Sequence, residues 1–324
     1  VMLHLISLYA AQCGKKPVVL AGRNAHKAFI NACALLDIGI EWLYPDDEQS
    51  YIACNITAQQ ISERLAGQNG RITAVYITSP DYLGNMQDIA AIARACHESG
   101  ALLSVDNAHG AYLKFMPTPA HPMDLGADIC CDSAHKTLGV ITGGAYLHIS
   151  VSAPAVLAER AKASFSVFGT SSPSYLILQS LDAANGTTEA FRNELRTFLP
   201  EADSLKAKLA AHGFELAGSE ALKLTLKPKS FGYSGQDIAA TLEAANIYPE
   251  FYDPDYIVLM LSPRHSEREL DALCDTLCSL PRRAPIVSAP PRMPRPERVI
   301  SPREALLAAA EKVPLPCCLG RISA

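Results

Sequence analysis

The first two-thirds of the sequence predict an α/β architecture, a mostly parallel sheet held between helical layers. Two observations carry this expectation. The strand candidates read as continuous apolar runs, and helical patterns separate them, as in a sheet covered on both faces. A third observation concerns the remainder: near residue 185 the alternation gives way to a long amphipathic helix and further short strands, which predicts a smaller α+β unit. With 324 residues the chain has room for about two domains at ~150 residues each. The expected division is a large domain over 1–185, a small α+β domain over 186–285, and a proline-rich linker with a short terminal helix over 286–324.

In order along the chain, Lys16–Ala21 reads as a strand, and a helix follows over Ala25–Leu36 with Asn24 as its cap. Ile72–Thr78 is a second buried strand and Gln87–Glu98 a helix. Ala101–Asp106, Asp128–Asp132 and Gly144–Ile149 complete the large sheet. In the second part Ala190–His212 is the long helix. Leu222–Leu226, Ile247–Phe251 and Ile257–Leu261 read as strands, and Gly235–Ala245 and Glu267–Leu280 as helices. Prolines crowd from Pro281 to Pro302, which reads as an extended surface linker, and Pro302–Lys312 as a short helix.

Composition narrows the function. The net charge of −5 provides no basic excess to neutralise a phosphate backbone, so nucleic acid is not an expected partner. No apolar run reaches the ~18 residues of a membrane span, and the N-terminus lacks a basic signal-peptide region. Ten cysteines include the doublets Cys130-Cys131 and Cys317-Cys318 and the pair Cys274 and Cys278, one helical turn apart. No CxxC and no Cys/His cluster of zinc spacing occurs, so reduced thiols in a cytoplasmic protein, and no metal, are expected.

Two residues point to chemistry. Asp106 ends an apolar strand, and Lys136 lies just past the next one in DSAHKT. Ligands of open α/β sheets bind at the carboxyl ends of strands, so this acid and this amine face one crevice. Such a lysine can form an imine, and such an aspartate is the partner that a pyridinium nitrogen needs.

The segments GRNAHKA, ITSPDYLG, SVDNAHGAYLKF, GADICCDSAHKTLGVITGGAYLH and TSSPSYLILQSLDAA, with SPREALLAAAEKVPLPCCLGRISA near the end, resemble the Orn/Lys/Arg decarboxylase family. These are pyridoxal-phosphate (PLP) enzymes of the aspartate-aminotransferase fold. The resemblance implies that Lys136 holds PLP as an imine and that Asp106 pairs with its pyridine nitrogen. Ala108 would pack beneath the ring and His26 would stack on its other face. Ser133 and His135 would contact the phosphate, with His135 also a proton donor. His109 would sit near the ring edge, and Tyr82 would line the pocket. Thr170 and Ser171 would reach the phosphate of a neighbouring subunit, making a homodimer with a shared active site. The Ser-Ser-Pro there also suits a helix start.

The implied reaction is decarboxylation of a basic amino acid: arginine, lysine or ornithine. The compact form of the family mildly favours arginine. Glu250 and Asp253 are candidates for the distal cation, against a reading as solvated loop residues. The alternatives are transamination or β-elimination on the same scaffold, for which Arg264 is the arginine to watch, and a non-catalytic relative. Both ends read as cut: the family's phosphate loop would precede Val1, and PLP should be held weakly without it.

Overall fold

The computed structural model describes residues 1–45, 50–288, 290, 295 and 297–314. In chain order these form α1 (Met2–Gln12), β1 (Val18–Gly22), α2 (Lys27–Leu36), β2 (Gly39–Leu43), α3 (Ala58–Leu65), β3 (Ala74–Thr78), α4 (Ile89–Glu98), β4 (Leu102–Asp106), β5 (Ile129–Asp132), α5 (Ala134–Thr137) and β6 (Tyr146–Ile149). There follow α6 (Ala155–Phe168), α7 (Tyr175–Gly186), α8 (Thr188–His212), β7 (Glu215–Ala217), β8 (Lys223–Lys227), α9 (Gly235–Ala244), β9 (Phe251–Tyr252), β10 (Ile257–Met260), α10 (Glu267–Cys278) and α11 (Pro302–Leu307).

The strands of the first part make one six-stranded sheet in the order β2-β1-β3-β4-β5-β6. Its first five strands are parallel and β6 runs antiparallel to β5. Successive side chains of a strand point to opposite faces. Leu20, Val75 and Leu103 therefore pack with α3 and α4 on one face, while Val19, Ala74 and Leu102 pack with α1 and α2 on the other. Every residue of β4 is buried, which explains its unbroken apolar reading.

The second sheet, β7-β8-β10-β9, is antiparallel and packs its apolar face against α8, α9 and α10. It docks on the loop after β3. The Ser219 and Glu220 amides donate to Gly84 O, the Thr225 hydroxyl donates to Leu83 O, and the Lys223 ammonium donates to Asp81 O at 2.7 Å. Gly218 is required there: its φ is +75°, and a Cβ would lie 2.4 Å from Leu83 O.

Several expectations need correction. His26, not Asn24, caps α2, its ring accepting from the Ala28 amide at 3.2 Å. The strand expected over Ile247–Phe251 is only the two residues of β9, because only Phe251 and Tyr252 find partners on β10. The terminal helix stops at Leu307 rather than Lys312. The helix expected after Ser-Ser-Pro does start, at Tyr175, but without a side-chain cap. The sequence reading also omitted β2, α3, α6 and β7. All eight cysteines among the described residues are free, and the Cys317-Cys318 doublet lies outside them. Among the described residues no helix is long and apolar enough to cross a membrane.

Candidate active site

Asp106 is the last residue of β4, and the turn behind it presents Asn107, Ala108 and His109. Its carboxylate is buried and oriented from two sides. The Tyr76 hydroxyl donates to Oδ2 at 2.7 Å, and the Ala108 amide donates to Oδ1 at 3.2 Å. On the neighbouring β5 the chain turns at Ser133 into the single helical turn α5, which carries His135 and Lys136. Lys136 Nζ lies 3.0 Å from His109 Nε2. Lys136 thus reaches across from the end of β5 to a histidine in the turn that follows Asp106 at the end of the adjacent β4.

His135 Nδ1 lies 3.0 Å from Gly144 O. A carbonyl only accepts, so Nδ1 carries a proton. His109 has the reverse problem: its Nδ1 is buried and has no partner. Burial first, and then the charges of Lys223, Lys136, His135 and His26, push the His109 imidazole down to about 3, so it is neutral. His26 is exposed at the cap of α2, near enough to contribute to that field.

Tyr82 stands edge-on to His109, ring centres 5.5 Å apart, and its hydroxyl donates to Glu250 Oε1 at 3.2 Å. Asp253 is otherwise engaged, accepting from the Tyr51 hydroxyl and from the Asp255 and Tyr256 amides. Arg264 pairs with Glu194 at 3.2 Å and lines a separate cavity of about 370 Å³ with Phe115, Asp132, Tyr146 and His148. Thr170 and Ser171 are exposed, and the Thr170 hydroxyl accepts from the Ser172 amide. The chain's own fold does not bring them to Lys136.

Sequence reasoning missed Tyr76, Asn107, Asp132 and Lys223. A tyrosine in the otherwise apolar ITAVYIT run was a usable signal, since a buried phenol needs a partner. His121, Cys130 and Asp132 are spaced to hold a metal ion, their ligand atoms within 4.8 Å of one another. The protons argue against that use. The Met123 amide donates to His121 Nδ1, so Nε2 carries a proton toward Asp132 instead of a lone pair toward a metal.

The family model for the Orn/Lys/Arg decarboxylase major domain matches residues 5–224. The chain belongs to the Orn/Lys/Arg decarboxylase family. YaaO of Bacillus subtilis strain 168 is 30% identical over 279 residues, 82% of this chain and 57% of that protein. The arginine decarboxylase of the same organism is 27% identical over 346 residues, 99% of this chain and 69% of that one. Among solved structures, lysine decarboxylase A from Pseudomonas aeruginosa superposes with a TM-score of 0.70 at 17% identity, covering 86% of this chain and 47% of that one, a likeness of fold. The chain thus spans between about half and three-quarters of the length of these and similar relatives.

The PLP of this family fits the residues present. A buried carboxylate held by the Tyr76 hydroxyl and the Ala108 amide suits a pyridinium, and the buried Nδ1 of His109 is left without a hydrogen-bond partner.

Proposed function

We propose that this decarboxylase-family protein removes the α-carboxylate of a basic amino acid, with arginine the preferred substrate. The observation that carries this reading is the line from Lys136 to His109 to Tyr82 to Glu250. It sets an imine-forming amine at one end and an exposed carboxylate at the other. Glu250 is exposed and its carboxylate accepts from the neutral Tyr82 hydroxyl, so it can receive the substrate's distal cation.

PLP supplies an electron sink for the charge left when carbon dioxide departs. The chain's residues do the rest. Lys136 holds the cofactor and later handles a proton at Nζ. Asp106, kept in place by Tyr76, keeps the pyridine nitrogen protonated. Ala108 would pack beneath the ring, and His26 would cover the opposite face. Ser133 contacts the phosphate. His135, with its Nδ1 anchored on Gly144, has Nε2 available to hold or deliver a proton. The engagement of Arg264 with Glu194 supports decarboxylation over transamination, because a firm arginine clamp would stabilise the ground-state carboxylate.

A homodimer completes the reading, with Thr170 and Ser171 serving the partner's phosphate site. The domain limits 1–185 and 186–285 and a cytoplasmic location belong to the same proposal.

The test is incubation with PLP and arginine, lysine or ornithine. Release of carbon dioxide and agmatine or a diamine supports the proposal, whereas a keto acid points to transamination. Lys136→Ala should abolish both product and the visible absorption of bound cofactor. Glu250→Gln should raise KM for arginine at least tenfold, the scale of one charge-assisted contact. A protein that stays colourless with PLP would leave only a non-catalytic role.

A further inference from the structure

One buried carboxylate next to the site has no part in the proposed chemistry. Asp132 ends β5, directly before Ser133, and beside the Cys130 thiol at 3.7 Å three nitrogen donors converge on it. The Asn107 amide nitrogen lies 2.7 Å from Oδ1, while His121 Nε2 and His148 Nε2 lie 3.0 and 2.8 Å from Oδ2. These donors come from the end of β4, from the loop before β5, and from β6.

We infer that Asp132 is a positioning residue: by gripping Asn107 it sets the spacing between the turn that carries Asp106, Ala108 and His109 and the turn that carries Ser133, His135 and Lys136. The inference rests on the proposed cofactor reading and deepens it.

The main-chain ladder cannot do this job alone. Pairing of β4 with β5 ends at Asp106 and Cys131, and one further bond runs from the Asn107 amide to Cys131 O. Beyond it no ladder pairing of β4 with β5 continues. The side-chain bond from Asn107 to Asp132 ties the two turns where that pairing has ended. Asn107 is fully buried and its Oδ1 has no partner, so Asp132 provides its only side-chain hydrogen bond. The turn is built around this amide: a Cβ on Gly110 would lie 2.0 Å from Asn107 Oδ1. The anion suits its setting. Burial would raise the carboxyl, but the His121 and His148 contacts outweigh it and hold the group well below the usual range. Asp132 therefore remains an acceptor for Asn107 throughout the physiological range.

Two readouts test this: PLP affinity from visible absorption, and amide hydrogen exchange over residues 106–113 in protein without PLP. Asp132→Ala should weaken PLP roughly tenfold, the coupling scale of neighbours in one hydrogen-bond network, and speed exchange in that segment. Asn107→Asp should do the same by setting two carboxylates face to face. The double variant Asn107→Asp with Asp132→Asn reverses donor and acceptor and should recover most of both losses. It serves as the deciding comparison if Asp132→Ala does not fold. Unchanged exchange and affinity in Asp132→Ala, or no recovery in the double variant, would overturn the inference. If the unaltered protein shows no PLP absorption, the cofactor reading fails while the exchange arm still judges the role of Asp132.

Discussion

At His109 three segments of the chain meet, and their charges set its protonation. Lys136 and His135 approach from α5, His26 from the cap of α2, and Lys223 from β8, while Tyr82 covers one edge. A buried base with a lowered pKa binds fewer protons folded than unfolded. Its contribution to stability is therefore complete above the ordinary value of 6.5 and is lost as pH falls toward about 3. Lys223 is the strongest of the charges acting on it, after burial itself. Lys223→Met should raise the His109 pKa, so that ring protonation, followed by NMR of labelled histidine, begins at higher pH. An unchanged titration would show that Lys223 does not act on this ring. Nothing in the local sequence distinguished this lysine. Asp106 and Lys136 were readable because each follows an apolar run and sits in a dense motif. Lys223 opens a strand, KLTLK, and its place near the site depends on a contact between residues 142 apart.

At the level of elements, the central strands β1, β3, β4 and β5 were readable because burial on both faces leaves them mainly apolar. The edge strand β2, GIEWL, was not, since it pairs only with β1 and carries Glu41, which holds Arg64 and Arg71. The helix α6 lacks a clean stripe because only Leu157 and Ser164 are buried on it. Capping shows the same contrast between local and distant causes. Ser266 and Glu269 form a capping box at α10, a purely local device, and Ser266→Ala should cost about 1 kcal/mol, seen as a lower Tm. Gly235, the first residue of α9, answers to a distant segment. A Cβ there would lie 2.1 Å from Asp253 O and 2.2 Å from Tyr256 O, both main-chain atoms. Gly235→Ala should cost about 3 kcal/mol, the upper range of overpacking, because backbone must move. The displaced turn follows Glu250, so KM for a basic substrate should rise together with the loss of stability. Equal Tm losses in the two variants would contradict this difference between cap and contact.

For the whole molecule, the largest unexplained surface is the one presented by α6 and α7. No residue of α7 is buried, although its sequence is YLILQSLDAANG. Tyr175 is 85% and Leu176 67% exposed, and Phe165, Val167 and Phe168 continue the patch on α6. An apolar area of this kind on an isolated chain marks an interface. The segment between the helices holds Thr170 and Ser171, both exposed. A second copy docking on this face would cover the patch and carry that segment toward a neighbouring phosphate site, and a twofold pair would do so reciprocally. Leu176→Asp places a charge in the centre of the patch and should turn a dimer into a monomer in sedimentation, with the far-ultraviolet spectrum unchanged. The sharing of sites has its own test. Lys136→Ala and the double variant Thr170→Ala with Ser171→Ala should each be inactive as pure proteins. When the two are mixed and allowed to exchange subunits, a heterodimer keeps one site with an intact Lys136 and an intact Thr170-Ser171 pair from opposite chains. Activity should then return in part. No recovery on mixing, with exchange demonstrated by mass spectrometry, would confine each site to a single chain and leave the exposed face without a catalytic purpose.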